Sequence, residues 1–351
     1  MSLKHHYGFI DAVRGIAACS VMLQHSLNES GLLGDFHHHT KLTNFIPTWL
    51  ELGETGVVAF FLVSGFVIPL SLEKTANFRL FWLHRACRIY PLYLFIYFIT
   101  FVLHAGVGIH SLNDFAINFA AHLFFVQEYL KQISFVGGSW TLSLEMIWYI
   151  TLSCLFIVSL NKNAKLLVSA SVVISVLADI ACSLGHHIPM GRVSMLLCCV
   201  TGLLCYRHEK RDISNSTFYA LLAIMAATIF CNIFIGFQLF PSPHPSATFC
   251  MVLDSWSCAA LIFFVPFVKQ HWKIWNVSGF KFFARISYSV YLVHPVILYI
   301  LTFTPVSGVL LVAITFSATI AISTLTHKYI ERPFINLNHS LKLNALQPAR
   351  A

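Results

Sequence analysis

Ten runs of about 20 mostly apolar residues constrain this chain more than any other feature. A helix of that length crosses the hydrocarbon core of a bilayer, where backbone polar groups must be satisfied within helices or closed barrels. Charged residues make up only 10% of the chain, against about 25% in soluble domains. We therefore predict an all-α integral membrane protein with about ten transmembrane helices in one bundle. The predicted spans are 8–27, 53–72, 88–106, 140–160, 164–183, 191–206, 217–238, 249–268, 283–303 and 306–328.

Basic residues orient this bundle because they fall in alternate connections between spans. The basic connections hold Lys74, Arg79, Arg85 and Arg88; Lys162 and Lys165; Arg207, Lys210 and Arg211; and Lys269, Lys273, Lys281 and Arg285. With ten spans, these connections lie on the same side as both termini, and the positive-inside rule makes that side cytoplasmic. The net charge of +8 then indicates contact with anionic lipid. No basic run with interleaved aromatics suggests a nucleic-acid partner.

The segment 113–128 is predicted not to cross the membrane. Its apolar stretch, from Phe115 to Val126, has only about 12 residues, and a span needs about 20. We interpret it as a short re-entrant or interfacial helix on the outer side. If it did cross, the chain would have eleven spans, and Lys162 and Lys165 would lie outside, against the positive-inside rule.

The first span carries Asp11, Arg14 and His25, and ionisable groups within a bilayer are costly and commonly functional. Arg14 and His25 are eleven residues apart, close to three full turns, so they share one helix face about 16 Å apart along the axis. Asp11 and Arg14 are three residues apart and can form an ion pair. The first span therefore places an arginine near its cytoplasmic end, below a histidine near its outer end.

An arginine pair, Arg85 and Arg88, opens the third predicted span and faces one way. Two forked guanidinium groups at a cytoplasmic mouth suit the binding of phosphate groups. The alternative is simple anchoring of a span by its inner basic residues.

Polar residues in later spans complete the candidate site. Glu145 lies about one and a half turns into the fourth span, at the predicted depth of His25, so its carboxylate can orient the imidazole ring. The alternative is a structural pair that joins two helices. In the ninth span, Tyr288, Tyr291 and His294 share one face, and we expect a structural hydrogen bond from His294. Glu331, after the last span, can accept from an inner arginine.

Six motifs follow one another along the chain. They are Arg14-x10-His25, Gly53-Glu-Thr-Gly56 continuing to Ser64-Gly65-Phe66, Arg85-x-x-Arg88-Ile-Tyr-Pro91, Ser139-Trp140-Thr-Leu-x-x-Glu145, Ile286-Ser-Tyr-Ser-Val-Tyr291-Leu-x-His294, and Glu331-x-Pro333. With these motifs in this order, the chain resembles the acyltransferase-3 family of integral membrane O-acyltransferases. The resemblance runs from about residue 7 to 334. We expect the stand-alone form without a fused hydrolase-like domain. Its single transmembrane domain is predicted at 1–334, with a cytoplasmic tail at 335–351.

The resemblance implies an enzyme that moves an acyl group, most often acetyl, from cytoplasmic acyl-CoA to a hydroxyl group. The implied acceptor is a glycan or lipid-linked saccharide, as in lipopolysaccharide O-antigen or exopolysaccharide. It also implies that His25 is catalytic and that Arg14, Arg85 and Arg88 bind acyl-CoA. Acetyl-CoA is then a substrate, and we expect no permanently bound cofactor and no metal site. The implied location is a bacterial inner membrane.

A mechanism follows from combining the residues with the resemblance. Glu145 orients His25, which takes the proton of the acceptor hydroxyl as that hydroxyl attacks the thioester. Trp140 Nε1–H or Ser139 serves as an oxyanion donor. The sequence leaves open an acyl-histidine intermediate. It also leaves open two other functions: a transporter of a small solute or acyl donor, and a non-catalytic scaffold.

Overall fold

A computed structural model describes residues 7–32, 50–75, 77–104, 106–240 and 248–337. Within these residues the regular structure is entirely helical. The α-helices are α1 (Gly8–Glu29), α2 (Leu52–Thr75), α3 (Phe78–Leu103), α4 (Leu112–Leu123), α5 (Ser139–Ile157), α6 (Ala164–Ser183), α7 (Met190–Glu209), α8 (Asn215–Phe234), α9 (Phe249–Val268), α10 (Ser278–Leu301) and α11 (Gly308–Thr326). A π-helical turn extends α8 over Ile235–Leu239 and another extends α11 over His327–Glu331. Most of the predicted tail, residues 338–351, lies outside the described residues.

Nine of the described helices are long and apolar enough to cross a membrane, namely α2, α3 and α5–α11. The tenth long helix is α1, whose 22 residues span about 33 Å. It carries Asp11, Arg14 and Glu29 and is not among those nine. It packs between α2 and α10. The predicted all-helical membrane bundle is confirmed, whereas the cytoplasmic side of the termini stays a prediction.

Two predicted boundaries can be compared with the described helices. The short helix expected near 113–128 is α4, whose 12 residues extend about 18 Å, too little to cross a bilayer. The third span was expected to start at 88, but α3 begins ten residues earlier, at Phe78. Asn77 caps this start, because its side chain accepts from the backbone N–H of Leu80. Polar residues obscure this first part of α3 in the hydropathy pattern.

Glycines let the central helices approach one another closely. A Cβ on Gly56 of α2 would collide with the Ala17 carbonyl of α1, and one on Gly65 would collide with the Cys199 backbone of α7. Small residues at crossings allow such approach in membranes, where packing replaces the hydrophobic effect as the main source of helix association. Helix α2 is thereby fixed between α1 and α7, and its remaining side faces a cavity.

Candidate active site

A cavity lies between α1, α2, α3, α5 and α10 and encloses about 880 Å³ of empty space, its open mouth included. Its walls are largely apolar, with Phe60, Phe61 and Val67 among the lining side chains. Its charged lining residues are Arg14 from α1, Arg85 and Arg88 from α3, and Glu145 from α5. The structure thus brings the three predicted arginines together around one cavity. Arg14 and Arg85 belong to different motifs and are more than 70 positions apart in the sequence.

Two of the arginines, Arg14 and Arg85, are held by hydrogen bonds and retain further donors. Arg14 Nη2 donates to Ser287 Oγ at 2.9 Å, and Arg85 Nη2 donates to Ser71 Oγ at 2.7 Å. The Arg85 guanidinium carbon also lies 5.4 Å from the ring centre of Phe81 and 5.7 Å from that of Tyr149. Among the described residues, the buried Nε of Arg85 has no hydrogen-bond partner. A guanidinium with one or two contacts out of five N–H donors can still bind an anion.

Glu145 belongs to this arginine cavity, and the predicted Glu145–His25 pair is wrong. Its Oε1 accepts from Ser64 Oγ at 2.7 Å and its Oε2 accepts from Tyr149 Oη at 2.9 Å. The reason is depth. Thr141 Oγ1 contacts Tyr291 Oη at 3.0 Å, so these two residues lie at the same depth. Tyr291 is about one turn from His294, towards the start of α10. Glu145 is a further turn from Thr141 in the same direction, so it lies about 10 Å along the helix axes from His294.

The partner of His25 is His294. Their Nδ1 and Nε2 atoms are 2.9 Å apart, and the ring centres are 5.1 Å apart. The other ring nitrogen of His294, Nδ1, lies 2.8 Å from the Val290 carbonyl oxygen. His294 is 1% exposed, whereas His25 is an exposed residue. The structural hydrogen bond expected of His294 therefore connects it to the candidate catalytic histidine.

Tyr291 separates the two parts of the site. Its hydroxyl contacts Thr141 Oγ1 and donates to the Gly138 carbonyl at 3.3 Å, and its ring packs edge-on against Phe60. Phe60, Thr141 and Tyr291 line the cavity, and Tyr291 lies one turn of α10 before His294. Neither His294 nor His25 is among the residues that line the cavity.

Ser139 and Trp140 are outside the cavity lining, as is His25, so their role as oxyanion donors stays a prediction. Ser139 Oγ accepts from Gln127 Nε2 at 3.0 Å and contacts Ser134 Oγ at 2.8 Å. The Trp140 ring lies 5.4 Å below the guanidinium carbon of Arg192. Successive helix residues point about 100° apart, so the next residue of α5, Thr141, lines the cavity instead.

Glu331 also has a partner different from the expected arginine. Its buried carboxylate accepts from Ser289 Oγ of α10, and Ser289 accepts in turn from Thr326 Oγ1 at 3.1 Å. His327 Nδ1 lies 3.5 Å from the other carboxylate oxygen. This group joins the end of α11 to α10. The Asp11–Arg14 ion pair stays a prediction.

Sequence reasoning missed the hydroxyl groups that hold the charged residues. Ser71 and Tyr149 carried no signal as single residues, and Ser287 was part of a quoted motif but had no assigned role. For Tyr149 a signal existed, because it follows Glu145 by four residues and therefore shares its helix face. Ser64 was part of a quoted motif, but its role as the donor to Glu145 required the position of α2 beside α5.

Comparison with known proteins identifies a family and two partial relatives. Residues 7–328 match the family model described as "Acyltransferase domain". Acyltransferase MdmB of Streptomyces mycarofaciens is 35% identical over 111 residues, which are 28% of this chain and 27% of that protein. Nodulation protein 10 of Rhizobium leguminosarum bv. viciae is 27% identical over 169 residues, 43% of this chain and 44% of that protein. The matched regions thus span less than half of either relative. No solved structure matches the chain.

The match to the family model covers most of the chain, so the chain belongs to the acyltransferase-3 family. With its many apolar helices, it is a multi-pass integral membrane protein. The transporter and scaffold alternatives gain no support from the family or from the named relatives.

Proposed function

We propose that this member of the acyltransferase-3 family transfers an acyl group, most often acetyl, from cytoplasmic acyl-CoA to a hydroxyl of a surface-glycan sugar. The location that fits this role is a bacterial inner membrane, with donor and acceptor on opposite sides. The acceptor class follows from the family resemblance.

The observation that carries the proposal is the convergence of Arg14, Arg85 and Arg88 on one largely apolar cavity. Acyl-CoA pairs phosphate groups with a long, weakly polar pantetheine arm that ends in the thioester. Guanidinium forks suit the phosphates, and apolar walls suit the arm. The roughly 16 Å rise from Arg14 to His25 is comparable with the length of that arm. A donor held by the arginines would therefore bring its thioester towards His25.

The chemistry at His25 is general-base transfer. His25 Nε2 takes the proton of the acceptor hydroxyl, whose oxygen forms a bond to the thioester carbon. The carbon–sulfur bond then breaks, and the proton passes from His25 to the leaving CoA thiolate. The alternative two-step route, through an acyl-histidine, uses the same residue and the same donor path.

The test measures release of CoA thiol from acetyl-CoA by membranes that contain the protein and lipid-linked glycans of its host. Release that requires both the glycan and His25 is expected, and His25→Ala should abolish it while the protein stays in the membrane. Full activity of His25→Ala would refute the catalytic assignment. Transport of a solute without consumption of acyl-CoA would refute the proposal as a whole.

The donor site is tested with Arg88→Lys, which keeps the charge but loses the planar fork. We expect the KM for acetyl-CoA to rise about tenfold, equal to about 1.4 kcal/mol. Arg192→Lys is the matched control, because Arg192 pairs with Glu128 at 2.6 Å and is not in the cavity lining. An equal effect of both changes would argue against a phosphate site at Arg88.

A further inference from the structure

We propose that His294 is a positioning residue that holds His25 in the one neutral tautomer able to act as a base through Nε2. The inference rests on the proposed function of His25 as the proton acceptor. It assigns to His294 a role in the reaction beyond joining two helices. His294 itself touches no substrate in this scheme.

The surroundings of His294 determine which of its ring nitrogens carries a hydrogen. Its Nδ1 lies 2.8 Å from the carbonyl oxygen of Val290, and a carbonyl oxygen only accepts hydrogen bonds. Nδ1 of His294 must therefore carry a hydrogen. The acceptor is backbone, so it cannot change its role by titrating.

The hydrogen on His294 Nδ1 determines which nitrogen of His25 carries a hydrogen. His294 is 1% exposed, and a neutral imidazole carries one ring hydrogen. With Nδ1 protonated, Nε2 of His294 holds a lone pair and accepts. The atom 2.9 Å away, His25 Nδ1, must then be the donor. A neutral His25 has one ring hydrogen, so its Nε2 is left with a free lone pair.

The surroundings of His25 Nε2 leave room for a substrate hydroxyl. Gly53, at the start of α2, is one neighbour: a Cβ added there would lie 3.9 Å from His25 Nε2 and 3.4 Å from Gln24 Cγ, which are ordinary contact distances. Glycine therefore leaves this side of the ring uncrowded. His25 is also an exposed residue, so an acceptor hydroxyl can approach Nε2 from outside the bundle.

Neighbouring residues support the segment of α10 that carries the His294 ring. Pro295 follows it inside α10 and removes a backbone donor there, which locally opens the helix. The Gly137–Gly138 turn packs against both neighbours of this point: a Cβ on Gly137 would lie 2.8 Å from Pro295 Cβ, and one on Gly138 would lie 2.7 Å from Tyr291 Oη. A turn without side chains thus holds the His294 segment from the side.

The kinetic test compares His294→Gln with His294→Leu. Glutamine places an amide oxygen where Nε2 stood and can still accept from His25 Nδ1, whereas leucine cannot. We expect His294→Leu to lower kcat about 100-fold, near the lower end of what a positioned base contributes, and to leave the KM for acetyl-CoA within about threefold. His294→Gln should recover most of the loss. Equal impairment of the two variants, each folded and still binding acetyl-CoA, would overturn the acceptor role.

The matched control is His104→Leu. His104 makes the same ring-to-carbonyl bond within its own helix, Nδ1 to Thr100 O at 2.8 Å, and stacks on Tyr299. It has no contact with His25. Its replacement should leave kcat unchanged, and a loss like that of His294→Leu would mean that removal of any outer histidine suffices.

A direct readout of the tautomer separates this inference from the proposed function. Nitrogen-15 NMR of histidine-labelled protein, minus the spectrum of His25→Gln, isolates the His25 ring signals. A protonated Nδ1 and a bare Nε2 in the intact chain, lost in His294→Leu, would support the inference. A protonated Nε2 would overturn it even if acyl transfer were established. Absence of acyl transfer by the intact chain would instead refute the proposed function, whatever tautomer is observed.

Discussion

The crossing of α2 and α7 gives the sharpest stability prediction, because it involves backbone rather than flexible side chains. A Cβ on Gly65 would lie 2.7 Å from the carbonyl carbon and 2.8 Å from the Cα of Cys199, and closer still to the Cys199 carbonyl oxygen. Ordinary van der Waals contacts begin at 3.4 Å. In Gly65→Ala the carbonyl carbon alone requires the two helices to separate by about 0.7 Å, the closer oxygen requires more, and none of the three atoms can rotate away.

The expected net loss in the free energy of unfolding is about 2 kcal/mol. Overpacking of a close-packed site costs about 1–3 kcal/mol, and a backbone collision falls at the upper end. Alanine returns about 1 kcal/mol through its better helix propensity. On the scale of soluble domains of 150–250 residues, the difference lowers the midpoint of thermal unfolding by about 5 °C.

The assay is thermal unfolding of the purified protein in detergent, with Gly279→Ala as the matched control. Gly279 also lies in a long helix, but a Cβ there meets nothing within 4 Å, so alanine should be neutral or slightly stabilising. Activity should fall in Gly65→Ala beyond the loss of folded protein, because the adjacent Ser64 donates to Glu145. If Gly65→Ala were as stable as Gly279→Ala, the described approach of α2 to α7 would be wrong.

Three further predictions concern stability and turnover. Arg207 is fully buried and bonded to two carboxylates, so Arg207→Leu should lower the free energy of unfolding by about 3 kcal/mol, seen as a lower thermal midpoint, without raising the KM for acetyl-CoA. Burial lowers the pKa of His122 from its ordinary 6.5, so the folded state favours the neutral ring and loses stability as pH falls below about 6.5. His122→Gln should reduce this pH dependence of the thermal midpoint, and an unchanged slope would contradict it. Gly138 has φ of +71° and contacts Tyr291, so Gly138→Ala should lower kcat about tenfold, whereas Gly31→Ala, strained at φ +72° but in open space, should not.

The sequence alone determined the class of protein and most of its helices. Run length and apolar composition are local properties, and the need to satisfy backbone groups in lipid turns them directly into helices. The sequence did not predict the start of α3 at Phe78. A hydropathy pattern assigns Arg85 and Arg88 to a loop, whereas in the structure they belong to α3 and line a cavity. Motif residues were also identifiable, since an arginine or a carboxylate within an apolar run is conspicuous.

Only the tertiary structure decided which of these residues meet. His25 pairs with His294 instead of Glu145, Glu145 with Ser64 and Tyr149, and Glu331 with Ser289. Spacing along one helix predicts a shared face, as it did for Arg14 and His25, because the helix repeat is fixed. Pairing across helices depends on the relative axial shift of two helices, and Gly138, at the start of α5, packs closely against Tyr291 of α10. A shift of two turns, about 10 Å, was enough to exchange the partner of His25.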